Sequence, residues 1–245
     1  MSINDMTAHN ELPLPEGVRL RCFNSREEQT VALAEEVMAI LQSGIKAQGR
    51  AAVAFSGGRT PIPLFQQLRT EDLNWAATQI TLADDRCLPL ASPDSNAGLI
   101  TQQLLQEKAA AAEFIPLWLD RYDALSHDAI LADCQARLDA LPELFDLVIL
   151  GMGNDGHTAS LFPCSDELDG ALTTQQDCAL LQPTTAPWQR LTLTPHRLLR
   201  SRQHILHLCG EDKLNTLTQA LQPGTQRDMP IRIFLSQPLT IYWNP

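Results

Sequence analysis

Positive charge is scarce in this 245-residue chain: 18 Lys plus Arg stand against 29 Asp plus Glu, a formal net charge of −11. Nucleic acid and anionic membranes are held largely through phosphate neutralisation, which such a chain does not offer over a broad face. Neither is expected as a partner. No apolar run approaches the roughly 20 residues of a membrane span. The opening MSINDMTAHNELPLPEG has neither the basic region nor the apolar core of a signal peptide, so a cytoplasmic protein is expected. The six cysteines lie far apart without a C-x-x-C pair, and free thiols in a reducing compartment are the expectation at this length. The G-x-x-x-x-G-K-[ST] phosphate loop and the G-x-S-x-G nucleophile elbow are both missing. His204 and His207 fall in the strand-like run HILHL, where a spacing of three points them to opposite faces. No clustered His and Cys set remains for zinc, and neither metal nor cofactor is expected.

What is present describes a folded chain, 44% hydrophobic and 19% charged. The length suits one α/β domain over 1–245, with 1–16 as a loosely held tail. GVRLRCF (17–23) alternates like a strand. Ser25 then opens a helix, with Glu28 completing a capping box and Val31, Ala34, Val37, Met38, Leu41 and Ile45 forming its buried face up to Gly49. AAVAF (51–55) reads as a strand covered on both sides, and a helix over 62–68 follows Pro61. ITLA (80–83) and FIPLWL (114–119) read as strands, and Ser95 and Ser126 open helices running to about Glu107 and Leu141. DLVIL (146–150) is a strand, followed by the strands CALLQ, RLTLT and HILHLC, a helix over 211–221, and two last strands, IRIFL and LTIYW. This alternation predicts an α/β fold built on an open, mainly parallel twisted sheet with helices on both faces.

Ligands of such sheets sit beyond the carboxyl ends of the strands, so three loops matter. In Ser56-Gly57-Gly58-Arg59-Thr60-Pro61 the glycines admit close backbone approach, the hydroxyls add donors and a helix follows, an arrangement that suits phosphate as well as a tight turn. Asp84-Asp85-Arg86, joined by Ser95 and Asn96, reads either as a site or as a solvated charged turn. Gly151-Met152-Gly153-Asn154-Asp155-Gly156-His157-Thr158 matches G-x-G-x-x-G, but only one turn of helix-compatible sequence precedes Pro163, which argues against a dinucleotide site. The loop does carry a histidine two residues after an aspartate, and imidazole is the side chain best suited to act as a base near neutral pH. Against the general charge deficit, residues 190–232 hold seven basic side chains and three acids. One part of the protein is therefore suited to an anion, while Arg197, Arg200 and Arg202 are expected on a solvated face.

Together SGGRTP (56–61), DDRCLP (84–89), DSN (94–96), FDLVILGMGNDGHTASLFP (145–163), Arg190 and GEDK (210–213) resemble the 6-phosphogluconolactonase family over nearly the whole chain. The resemblance implies a fold related to glucosamine-6-phosphate deaminase and hydrolysis of 6-phosphoglucono-1,5-lactone in the pentose phosphate pathway. It implies His157 as general base, Asp155 and Arg86 as its catalytic neighbours, and Ser56, Gly57, Gly58, Arg59, Thr60, Arg190 and Lys213 as the phosphate site, with Asp84 and Asn154 also at the substrate. Asp85 and Arg59 depart from the usual Glu and Ser of the family. The partner so implied is a small phosphorylated sugar lactone, bound by a monomer or weak homo-oligomer.

Two rivals remain. A deaminase resembles DGH-x-A-F-N-E-P at this loop, but Leu161 and Phe162 stand here in place of its Asn-Glu pair, and apolar side chains cannot orient or charge-stabilise an imidazole. A silent sugar-phosphate sensor would need SGG-x-TP, Arg190 and Lys213 but no base, and the presence of Asp155 with His157 tells against it.

Overall fold

A computed structural model of the chain describes residues 12–245. The expected loose tail over 1–16 therefore lies mostly outside the described residues; within them, Leu12 and Leu14 pack against the core. The chain runs through β1 (Val18–Cys22), α1 (Arg26–Gln48), β2 (Ala51–Phe55), α2 (Ile62–Leu68), β3 (Thr78–Leu82), β4 (Asp84–Arg86), α3 (Asn96–Gln103), β5 (Glu113–Ile115) and α4 (His127–Leu138). It continues through β6 (Phe145–Leu150), α5 (Leu168–Thr173), β7 (Cys178–Leu181), β8 (Arg190–Leu193), α6 (Pro195–Leu198), β9 (Ser201–Cys209), α7 (Glu211–Ala220), α8 (Arg232–Leu235) and β10 (Leu239–Asn244). Seven strands form a parallel sheet in the order β1-β10-β9-β6-β2-β3-β5, and β4-β8-β7 form a small antiparallel sheet beside it. Every residue of β2 and of β6 is buried, as strands covered on both faces must be. No described helix is long and apolar enough to cross a membrane.

Local chemistry sets the boundaries of α1. Ser25 caps its start, accepting from Glu28 N at 3.1 Å, and the Gly49 N–H closes its end on Ile45 O at 2.8 Å. The Glu28 carboxylate accepts from Asn24 N at 3.1 Å, one residue earlier than a capping box requires. The buried stripe is Leu33, Val37, Ile40 and Leu41 together with Gln29, Thr30, Ala34 and Gly44, each large apolar member worth about 1.5–3 kcal/mol relative to exposure. Val31, expected inside, is 46% exposed; a helix of period 3.6 cannot bury it along with Gln29 and Leu33 on one face.

A second difference is IRIFL. These residues form α8, a single helical turn, and β10 pairs directly with β1 and β9. Arg232 in this turn donates to Ala220 O, Gln219 O, Gln222 O and Thr225 O at 3.0–3.3 Å. It thereby gathers carbonyls left over at the end of α7, which a ladder strand could not do.

At the other end of the sheet, Asp146 is buried at the start of β6 and accepts from Ala52 N at 2.8 Å. Arg202 lies 3.5 Å from the same carboxylate and is half-exposed. Arg197, expected on a solvated face, is only 1% exposed. Its guanidinium stacks 4.0 Å from the centroid of the Phe145 ring, donates to Pro142 O at 2.7 Å and to Glu143 O, and sits 3.6 Å from Asp177. Arg200 shares Asp177 at 3.1 Å. The local cation excess is thus partly consumed in closing loops under the sheet.

His204 and His207 do face opposite sides of β9: His204 meets Leu198 O and lies beside Phe234, and His207 meets Gln29 Oε1 at 3.0 Å. The Gln29 amide is oriented by its donation to Leu208 O at 2.9 Å, so its oxygen faces the imidazole, which therefore carries its proton on Nε2. All six cysteines are free thiols.

Removing Arg197 takes a buried guanidinium from its ring, from the Pro142 and Glu143 carbonyls and from Asp177. Arg197→Ala should lower the unfolding free energy by about 3 kcal/mol, measured by urea denaturation; an unchanged midpoint would mean that the guanidinium is solvated. Burial, aided by the Arg26 charge, pushes His207 down to about 4, against about 6.5 in the unfolded chain. Folding therefore favours the neutral ring. Its contribution is complete above pH 6.5 and is lost as pH falls from 6.5 to 4, by about 3 kcal/mol. His207→Gln should flatten stability over that window, and an unaltered slope would assign the acid sensitivity to another group.

Candidate active site

Beyond the carboxyl ends of β2, β6 and β9 lies a cavity of about 390 Å³, within the range of small-molecule sites. Of the residues predicted from sequence, Ser56, Gly57, Gly58, Thr60, Asp84, Arg86, His157, Arg190 and Lys213 line it. Arg59, Asn154 and Asp155 do not. Arg59 is exposed, and Asn154 and Asp155 instead hold two residues that do line the cavity.

Asp155 holds the histidine. Its Oδ1 accepts from His157 N at 3.1 Å and lies 2.6 Å from His157 Nδ1. A carboxylate only accepts, so Nδ1 carries the ring proton and Nε2 is left with its lone pair. Burial raises the Asp155 carboxyl, but hydrogen bonds and charge from His157 outweigh it and hold the group below its usual range. The turn is closed by Gly153, whose N–H donates to His157 O at 2.8 Å. A Cβ at Gly153 would stand 2.1 Å from the imidazole, so only glycine leaves the ring in place. On its other side the imidazole stacks on Phe162, with centroids 3.9 Å apart and planes at 28°. Phe162 thus orients the histidine after all, by stacking where a carboxylate would do so by hydrogen bonding.

Three cations face the cavity, and neutral acceptors hold them. Arg86 donates to Asp94 O, Arg190 to Pro187 O at 3.0 Å, and Lys213 Nζ to Asn154 Oδ1. In the antiparallel β4-β8 pair, Arg86 and Arg190 lie directly opposite one another. Like charges so placed repel. Burial, then the Arg86 charge, lower the pKa of Arg190, with Asp84 opposing. An anion between the two arginines would relieve this repulsion.

The acidic pair divides its work. The Asp84 carboxylate accepts from Ser160 Oγ and lines the cavity. Asp85, whose role the sequence left open, is wholly buried and accepts from Asn96 N at 2.7 Å, Arg86 N at 2.8 Å and Ala97 N at 3.0 Å, fastening the start of α3 to β4. Burial pushes its carboxyl up to about 7 against the pull of those N–H groups. Among the described residues no group of three His, Cys, Asp or Glu is placed to hold a metal ion.

Two participants had no role assigned from sequence. Asn96, placed there only beside the second loop, lines the cavity, donates to Asp84 O at 2.9 Å and lies so close to Gly57 that a Cβ there would be 2.1 Å from its Oδ1. Gly57 is therefore needed for Asn96 to join the first loop to the second. Its signal was the asparagine directly after the Ser95 cap. His207 is the other, on the cavity wall beside Cys209, and a buried strand histidine carries no such signal.

A model of the family described as glucosamine-6-phosphate isomerases/6-phosphogluconolactonase matches residues 24–243. A 6-phosphogluconolactonase of Pseudomonas aeruginosa is 43% identical over 240 residues, covering 97% of this chain and 100% of that protein. The crystal structure of a 6-phosphogluconolactonase from Shewanella baltica matches with a TM-score of 0.90 at 39% identity, over 95% of this chain and 100% of that one. A monomeric glucosamine-6-phosphate deaminase shares the fold, with a TM-score of 0.76 at 17% identity over 92% of this chain and 97% of that one.

The opposed arginines supply a test independent of kinship. Inorganic sulfate should stabilise the protein, by about 1.4 kcal/mol at ten times its Kd, read as a rise in Tm. Arg190→Met should lose that rise, and an equal shift in both proteins would place the anion elsewhere.

Proposed function

Because the chain belongs to the glucosamine-6-phosphate isomerase/6-phosphogluconolactonase family, we propose that His157 is the general base of a lactone hydrolysis carried out in this cavity. The activity is that of a 6-phosphogluconolactonase: 6-phosphoglucono-1,5-lactone and water give 6-phosphogluconate, a step of the pentose phosphate pathway. The observation that carries the mechanism is the 2.6 Å contact of Asp155 with His157 Nδ1, which leaves Nε2 free to accept a proton.

In this reading water attacks the lactone carbonyl as its proton passes to Nε2, a contribution of about 10²–10⁴ in rate. Negative charge collects on the carbonyl oxygen. The Arg86 guanidinium, or the N–H groups of a glycine loop, stabilise it; a charge at about 4 Å is worth about 4 kcal/mol at an effective dielectric of 20. The bond from the carbonyl carbon to the ring oxygen then breaks, and the imidazolium returns its proton to that oxygen. Asp155 keeps the ring in one tautomer throughout and balances the imidazolium charge. Arg190, Lys213 and the Ser56–Thr60 loop hold the phosphate, so that the opposite end of the sugar reaches His157.

Phe162 favours hydrolysis over the deaminase alternative. Its ring lies against the imidazole and supplies no acid or base for sugar-ring opening. A silent sensor would gain nothing from a histidine whose tautomer is fixed by a carboxylate.

His157→Ala should lower kcat for lactone hydrolysis by about 10²–10⁴ while 6-phosphogluconate still binds, measured by acid release from fresh lactone and by calorimetry. Unchanged turnover would remove the histidine from the mechanism.

A further inference from the structure

A loop can receive phosphate only if its amide N–H groups, rather than its carbonyl oxygens, face the ligand. In a trans peptide the two point in opposite directions, so whatever holds the carbonyl on one side fixes the N–H on the other. Among the described residues no peptide bond is cis, and the carbonyls at the end of the Ser56–Thr60 loop share a side-chain holder, besides the Ile62 N–H that donates to Arg59 O at 3.4 Å. Arg26 Nη2 donates to Arg59 O at 3.0 Å and to Thr60 O at 3.1 Å.

Arg26 stands at the first position of α1, outside the residues that line the cavity. A cation in the first turn opposes the helix dipole, and Glu27 and Glu28 show what that position ordinarily favours. The two loop carbonyls account for its placement. Because Arg59 O turns to Arg26, the N–H of the same peptide, that of Thr60, points away from Arg26, and Thr60 lines the cavity. The next peptide has no N–H to orient, since Pro61 follows. The guanidinium spends its hydrogen bonds here on neutral oxygens, so its charge also remains available to the neighbourhood. It acts on His207 and Cys209 of the adjoining wall.

We propose that Arg26 is a positioning residue for phosphate recognition, holding the Arg59 and Thr60 carbonyls on its own side so that the Thr60 N–H is presented to the substrate phosphate. The proposal rests on the reading of Ser56–Thr60 as the phosphate loop. It makes Arg26 a determinant of preference between phosphorylated and unphosphorylated lactones, without contact to either.

The test compares kcat/KM for 6-phosphoglucono-1,5-lactone and for unphosphorylated glucono-1,5-lactone in the wild type, Arg26→Ala, Arg26→Lys and Lys213→Ala. Arg26→Ala should lower the preference for the phosphorylated lactone about tenfold, as expected for loss of one charge-assisted contact, chiefly through KM. Arg26→Lys, which cannot present a planar fork, should fall between it and wild type, and millimolar guanidinium should restore part of the preference to Arg26→Ala. A loss shared equally by both lactones would overturn the proposal, since Arg26 would then serve only the helix end. If Lys213→Ala loses the preference and Arg26→Ala keeps it, the Arg26 assignment alone fails. If neither variant changes the preference, the phosphate-loop reading fails and takes the Arg26 assignment with it.

Discussion

Between β2 and β6, Val53, Ala54 and Phe55 lie opposite Leu147, Val148 and Ile149, and this register sets where two cavity loops leave the sheet. The Asp146 carboxylate pins it at the lower end through Ala52 N. At the upper end Ser56 N donates to Ile149 O at 2.9 Å, and Ser56 Oγ accepts from Gly151 N at 3.2 Å. A slip of one residue would turn every side chain of β2 to the opposite face and part the Ser56–Thr60 loop from the histidine loop. Parallel strands covered on both faces thus give the site a rigid floor, on which loops add the chemistry.

The charges follow a division that composition conceals. Of the basic residues between 190 and 232, Arg197 and Arg200 serve Asp177, Arg202 serves Asp146, Arg227 pairs with Asp169 at 2.9 Å, and Arg232 gathers carbonyls. Of the seven basic side chains of that stretch only Arg190 and Lys213 line the cavity, where Arg86 joins them from the neighbouring strand β4. The antiparallel β4-β8 pair is what brings Arg86 opposite Arg190. Its cost is a repulsion that a structural pair would avoid, and its benefit is a place for a small anion in an acidic protein.

Much of this was legible locally. The Ser25, Ser95 and Ser126 caps, the wholly buried β2 and β6, and the three post-strand loops stand where their residues place them. What escaped was decided by distant partners. IRIFL alternates like a strand, yet carbonyls at the end of α7 capture Arg232 and make it a turn of helix. Arg197 has the composition of a surface residue and becomes part of the interior only because Pro142 and Glu143 expose carbonyls beneath Phe145. Phe162 read as an apolar vacancy beside a histidine, and a contact across five residues turned it into the ring's support. Local pattern carries propensity and capping; it does not carry which buried carbonyl lacks a donor.

The cations at the mouth are held by neutral oxygens inside a chain of net charge −11. A phosphorylated lactone therefore approaches against the far field of the protein and meets attraction only within about 8 Å at physiological ionic strength. Salt acts on these two stages in opposite senses, easing the approach by screening the acidic surface and loosening the grip by screening the mouth. Arrival and retention of an anion are thus set by different charges of one molecule, the outer acids governing the first and the groups at the mouth the second.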